Sequence, residues 1–242
     1  MAKKSFNASV LPKMRAFTAQ LIGPKDCVLV GLSGGADSVC LLHFLHYLAA
    51  TQHFALAAVH VNHQLRTEAQ SDQDFCEQLC KKLDVEFFAE KVNAREMAEK
   101  YGLSPEHGAR KARYESFERV SHKWGATKLA LGHHLDDQAE TFLLSLLRGN
   151  KVHALSGIPL RRALTKETEI VRPLLCITRA ETEAYLSQNH LSHVTDETNF
   201  DDTYRRNWIR NTLLPLLEIK QPQIRLHLAQ MAQEIGEKFP SK

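Results

Sequence analysis

An apolar run at 28–32 breaks into Ser33-Gly34-Gly35-Ala36-Asp37-Ser38 and resumes as a second apolar run at 39–48. Two adjacent glycines between hydrophobic segments predict a strand, a tight turn and a helix. Such a turn aims backbone N–H groups and the hydroxyls of Ser33 and Ser38 at a helix N-terminus, where the helix dipole also favours an anion. Phosphate is therefore the expected ligand. No lysine follows the glycines, which separates the turn from the lysine-bearing P-loop of GTPases and kinases. Asp37 stands there instead, a hard oxygen donor suited to Mg2+. The segment predicts a protein that handles a nucleotide.

The same alternation continues along the chain. A short amphipathic helix is expected at 10–22, and strands at 26–32, 54–61, 85–92 and 128–131. Helical patterns separate them: one capped by Thr67 and reaching about 83, and others through about 123, the last starting near Ser104-Pro105-Glu106. Strands alternating with helices predict an α/β fold, an open, mostly parallel twisted sheet with helices on both faces. After the turn Gly132-His133-His134, residues Ala139, Phe142, Leu143, Leu146 and Leu147 recur at helical spacing, predicting a stripe that packs on the sheet. Asp137, Glu140 and Thr141 project from the other side of that helix. Ligands of open parallel sheets bind beyond the C-terminal strand ends, so these carboxylates and the glycine turn should face one crevice. The stretch 149–168 reads as irregular and basic, and 169–175 as a strand. Thr178 with Glu181 forms a capping box for a helix to about 189, and further helices are expected at about 205–217 and 221–237.

With 242 residues the chain has room for one large domain and a small appendage, expected at 1–215 and 216–242. The formal charge of +3, from 31 basic and 28 acidic side chains, excludes a strongly basic nucleic-acid coat but permits a local basic face. No signal peptide and no membrane-length apolar segment is legible, so a cytoplasmic protein is expected. The five cysteines contain no C-x-x-C pair and read as reduced thiols, with Cys76 and Cys80 on one helix face far from the glycine turn. The 13 histidines lack companions at zinc spacing.

The glycine turn resembles the S-G-G-x-D-S motif of the PP-loop ATP pyrophosphatases, which cleave ATP between its α and β phosphates. Within that superfamily the chain resembles the tRNA(Ile)-lysidine synthetases. Four further runs carry the resemblance: His60-Val61-Asn62-His63-Gln64-Leu65-Arg66; Glu106 with Ala109-Arg110 and Arg113-Tyr114; Gly132-His133-His134-Leu135-Asp136-Asp137-Gln138-Ala139-Glu140-Thr141; and Asp196-Glu197-Thr198-Asn199 with Tyr204-Arg205-Arg206-Asn207-Trp208-Ile209-Arg210. The resemblance implies an ATP-dependent ligase. It would adenylate the wobble cytidine of an isoleucine tRNA with a CAU anticodon and then displace AMP with free lysine, changing the codon read from AUG to AUA.

It further implies an ATP site of Ser33, Gly34, Gly35, Ala36, Asp37, Ser38, His63, Arg110, Gly132 and His133. Asp37 would hold Mg2+, and Arg113 would supply fixed positive charge. Catalysis would rest on Asp37, Arg113, Asp137 and Glu140, with Asp137 and Glu140 gripping the lysine. Arg205, Arg206 and Arg210 would contact RNA, with Tyr204 and Trp208 available to stack on a flipped base. Trp208 reads equally as part of an apolar side with Ile209 and Leu213, and the core is its expected place. The chain departs from the family pattern at 148–157, where Lys151 and Ala154 replace glycines, and in length, reading as a short form or as the catalytic part of a longer protein. The alternatives are a PP-loop tRNA thiolase and a non-catalytic nucleotide-binding module. A homodimer is compatible with the sequence, which leaves oligomeric state open.

Overall fold

The computed structural model describes residues 3–64, 69–149, 151–195 and 205–239, with side chains from residue 10 onward. Strands β1 (Cys27–Gly31), β2 (Ala55–Asn62), β3 (Glu86–Lys91), β4 (Lys128–Ala130), β5 (Arg161–Ala163) and β6 (Glu169–Val171) form a sheet of order β3-β2-β1-β4-β6-β5. All neighbours are parallel except β5, which runs antiparallel along β6. The order reverses between β1 and β4, which opens a crevice beyond their C-terminal ends.

Strand residues alternate between the two faces. Val28 and Val30 of β1 join one core with helices α1 (Lys3–Thr18), α2 (Ala36–Gln52), α3 (Ala69–Leu83) and α7 (Arg179–Gln188). Leu29 faces the other core, beneath α5 (Pro105–Trp124), with Phe117 and Val120. The short α4 (Ala94–Tyr101) packs on α5. Burial on both faces explains why the central strands read as continuous apolar runs. No helix among the described residues is long and apolar enough to cross a membrane.

Three expectations are corrected. The apolar stripe of α6 (Leu135–Leu147) does not pack on the sheet. Ala139, Phe142 and Leu143 are buried against Ile209, Leu214, Leu228 and Ala232 of the C-terminal helices, while Leu146 and Leu147 are 53% and 56% exposed. The sheet faces are already taken by other helices, so α6 needs a separate partner. That partner is α10 (Ile224–Lys238) together with a continuous helix made of α8 (Arg205–Trp208), a π-turn (Ile209–Leu213) and α9 (Leu214–Lys220). Pro215 lacks an N–H and widens the helical ladder just ahead of it, where Leu214 N–H reaches Ile209 O. Second, the irregular stretch contains β5, whose residues are all exposed. Third, the strand expected over 169–175 ends at Val171, because Pro173 cannot extend the ladder and opens a 3-10 turn, Pro173–Cys176.

The departing loop accommodates both of its replacements. Lys151 is extended (φ −62°), and Ala154 sits in a 3-10 turn, Val152–Ser156. Positive φ falls on Gly149 and Gly157. The Gln138 side chain pins the exit, donating to Ile158 O at 2.7 Å and accepting from Ile158 N at 2.6 Å. Asn150 lies outside the described residues.

Candidate active site

The glycine turn leaves β1 at the crevice. Gly34 has φ +89°, and a Cβ there would stand 3.3 Å from both Cys76 Sγ and Val194 Cγ2, so only glycine fits. Ser38 Oγ donates to Gly35 O (2.9 Å) and accepts from Ser33 N–H (3.2 Å), while Val194 N–H donates to Gly34 O (2.9 Å). The turn is thus held from three sides. Cys76 lies directly against it, contrary to expectation: Cys76 and Cys80 do share one helix, but α3 folds back under the turn. Burial pushes the Cys76 thiol up to about 12, so it remains protonated.

Gly132 and His133 leave β4 on the other wall of the crevice. A Cβ on Gly132 would meet the Asp37 backbone at 3.1 Å, so this turn and the start of α2 are in direct contact. His134 caps α6: its Nδ1 accepts from Asp137 N–H at 3.3 Å, and its own N–H donates to Asp137 Oδ2 at 3.0 Å. With Nδ1 acting as acceptor, the ring proton sits on Nε2, 3.7 Å from Asp37 Oδ2. Burial raises the Asp37 pKa, His134 opposes this, and Asp137 across the crevice adds to it. Asp37 Oδ1 is buried with no hydrogen-bond partner among the described residues. That orphaned oxygen beside a second carboxylate fits a hard divalent cation.

Burial would also raise Asp137, but His134, Arg206, His133 and the His134 N–H together hold its carboxyl below the usual range. Arg206 donates to Asp137 Oδ1 at 3.0 Å and, through Nε, to Glu140 Oε2 at 2.8 Å. Arg210 Nε and its terminal nitrogen reach the two Glu140 oxygens at 2.6 and 3.0 Å. Glu140 is fully buried. The arginines expected on RNA and the carboxylates expected on lysine therefore form one ion-paired cluster. Arg205 is exposed and stands apart from it. Trp208 is 39% exposed rather than in the core, since the buried side of its helix is taken by Ile209.

The remaining expected residues ring the same crevice. Ala36 opens α2, His63 follows β2, and Arg110 and Arg113 lie on α5. Burial, then the Arg113 charge, lowers His63 to about 4; burial lowers His133 to about 4 as well, so both rings are neutral at pH 7. Leu65, Arg66, Thr67, the run Asp196-Glu197-Thr198-Asn199 and Tyr204 lie outside the described residues.

Sequence reasoning passed over Asp136, Arg172 and Arg225. Asp136 accepts from Arg179 N–H and from Arg225, both at 2.8 Å, tying α6 to α7 and α10. The paired aspartates in the first turn of α6 were the available signal, because two acids there are more than the dipole needs.

Comparison with known proteins agrees with this geometry. A profile of the PP-loop domain family matches residues 8–217. Over 82% of its length the chain is 42% identical to a tRNA(Ile)-lysidine synthase of Clostridioides difficile (strain 630) and 40% identical to one of Oceanobacillus iheyensis. Over 90% it is 38% identical to the bifunctional protein TilS/HprT of Listeria monocytogenes. The chain spans 42% of the length of the first two relatives and 34% of the third. Among solved structures, the U34-tRNA thiolase NcsA from Methanococcus maripaludis superposes over 97% of this chain and 80% of its own, with a TM-score of 0.81 at 19% identity. The NMN synthetase from Francisella tularensis covers 100% of this chain and 97% of its own at a TM-score of 0.56 and 10% identity, a likeness of fold alone. Given the glycine turn, the β1/β4 crevice and a match across most of its length, the chain belongs to the PP-loop domain family.

Proposed function

We propose that this chain carries the ATP-dependent joining of lysine to carbon 2 of the wobble cytidine of an isoleucine tRNA with a CAU anticodon. The observation that supports this best is the convergence of Asp37 and Asp137 across one crevice, in a chain about 40% identical to tRNA(Ile)-lysidine synthases over four fifths of its length. In this reading the reaction runs in the cytoplasm. Residues 1–215 hold the chemistry, and the described part of the 216–242 extension braces α6.

The turn's N–H groups, with Ser33 and Ser38, bind the ATP phosphates, while His63, Arg110, Arg113, Gly132 and His133 line the rest of the nucleotide site. Asp37 would hold Mg2+, which when bound neutralises charge on the departing pyrophosphate. The cytidine carbonyl oxygen attacks the α phosphorus and pyrophosphate leaves. The lysine amine then attacks carbon 2, and AMP departs with that oxygen. A lysine ammonium has a pKa near 10.4, so it needs a negative partner and a route for its proton.

Asp137, held ionised, is that partner. Its present counter-ions are Arg206 at 3.0 Å and Arg210 at 3.5 Å; the terminal nitrogen of Arg206, whose side chain is 40% exposed, would yield the place to an ammonium. Glu140 then acts as the anchor that keeps Arg210 in position and holds Arg206 only by its Nε. Arg205 and the exposed Trp208 remain for RNA.

The test is to incubate the protein with ATP, Mg2+, lysine and the CAU tRNA. Lysine-dependent AMP release is expected; dependence on a sulfur donor would indicate a thiolase, and no turnover a binding module. Asp137→Asn should retain pyrophosphate release and lose lysidine formation. Lysidine formed at the wild-type rate would overturn the assignment.

A further inference from the structure

The basic groups near the crevice divide into two kinds. Arg206, Arg210 and Arg225 each have a carboxylate within 3.0 Å. Arg110, Arg162 and Arg172 have no carboxylate at ion-pair distance among the described residues, yet they converge on one ring. Arg110 of α5 and Arg162 of β5 each lie 4.9 Å from the centroid of Tyr114, and Arg110 also donates to the Tyr114 hydroxyl at 3.3 Å. Arg172, which follows β6, is only 3% exposed; its terminal nitrogen donates to Pro159 O, and its Nε has no partner among the described residues. Burial, then the charges of Arg162 and Arg110, pull Arg172 down to about 10 against the opposing influence of Tyr114. Three like charges around one ring are unfavourable unless an anion joins them.

Arg110 and Arg162 border an open cleft of about 450 Å³, lined by Leu103, His107, Arg110, Lys111, Tyr114 and Arg162, with Arg172 buried behind it. Its lining side chains include no acid. By strand count, Arg172 lies two strands from the glycine turn and Arg162 three, on the order of 10 and 14 Å at ordinary strand spacing. That is to one side of the phosphates expected in the turn. The charges of Arg172 and Arg110 nevertheless reach His133 at the crevice. A ligand must therefore be long enough to enter the crevice and still leave negative charge outside it.

We propose that Arg162 and Arg172, with Arg110 standing between them and the nucleotide site, form about Tyr114 a subsite for a backbone phosphate of the RNA strand whose base enters the crevice. Guanidinium groups suit it because they bind phosphate oxygens in bidentate fashion while stacking on an aromatic face. The inference rests on the proposed RNA substrate. It differs in placing the free cations on the β5–α5 side, away from Arg206 and Arg210.

The test uses the whole chain with a fluorescein-labelled anticodon stem–loop RNA carrying a CAU loop, followed by anisotropy across a salt series. Arg162 is exposed and stands outside the ATP site, so Arg162→Ala is the main variant and Arg162→Lys the charge-preserving control. Arg162→Ala should weaken RNA binding by about fivefold or more and lower the salt slope by about one, while Arg162→Lys keeps the slope. MgATP affinity should stay within about twofold in both. An unchanged RNA affinity and slope in Arg162→Ala, while the wild type binds RNA and forms lysidine, overturns the subsite alone. Loss of MgATP affinity instead of RNA affinity assigns the cluster to the nucleotide and overturns it too. A wild type that binds no RNA removes both the subsite and the functional reading.

Discussion

Replacing Arg210 with alanine tests the ion-paired cluster directly. Glu140 is fully buried and accepts three hydrogen bonds, two from Arg210 and one from Arg206. Arg210→Ala leaves a buried carboxylate with one partner. Removing one side of a buried pair costs about 3–5 kcal/mol, and the surviving Arg206 bond argues for the lower end, about 3 kcal/mol. For a chain of this size that lowers the unfolding midpoint by roughly 6–12 °C. The assay is urea denaturation followed by far-ultraviolet circular dichroism, with thermal melts alongside. A second arm sharpens the reasoning. Arg210→Met combined with Glu140→Leu removes both charges and fills the space, and should recover at least half of the loss. If Arg210→Ala costs less than about 1 kcal/mol, or the double variant is as unstable as the sum of the singles, Glu140 is not a buried anchor.

Three further outcomes are expected. His63 and His133, lowered to about 4, bind protons in the unfolded chain that the folded chain refuses. Their contribution is present above about pH 6.5 and lost as pH falls toward 4, up to about 3 kcal/mol for the buried His133 and less for the partly solvent-screened His63, with Asp37 acting in the opposite direction. A midpoint unchanged between pH 7 and 4.5 would contradict this. Gly34→Ala should lower MgATP affinity by about tenfold or more in calorimetry, because φ +89° and the contacts at 3.3 Å both oppose a methyl group. Cys40, Cys76 and Cys80 are buried, so in intact-mass measurements iodoacetamide at pH 8 should leave them unmodified until denaturant is added.

The parallel sheet was legible because its central strands are apolar on both faces and alternate with helical patterns. The glycine turn was legible because its chemistry is local. What escaped notice depended on distant neighbours. β5 is exposed at every position and basic, so it carries no hydrophobic pattern. The periodicity of α6 showed that it has an apolar face but not what covers that face, and the answer lay in helices beyond residue 205. Arg206 and Arg210 looked available for RNA because their acidic partners are 66 to 70 residues away in the chain. Cys76 looked remote from the turn for the same reason.

The contact between Gly132 and the Asp37 backbone admits a methyl group between the two turns only if the main chain gives by a few tenths of an ångström. No side chain serves as a spacer, so the separation of the two turns, which under the proposed function flank the ATP and lysine sites, is set by main chain alone. Rotamer changes cannot adjust it. Under the proposed function the two half-reactions therefore share a ruler: a substitution that moves either turn should shift both steps together, and natural variation in substrate fit should be found at the rim of the crevice rather than at its floor.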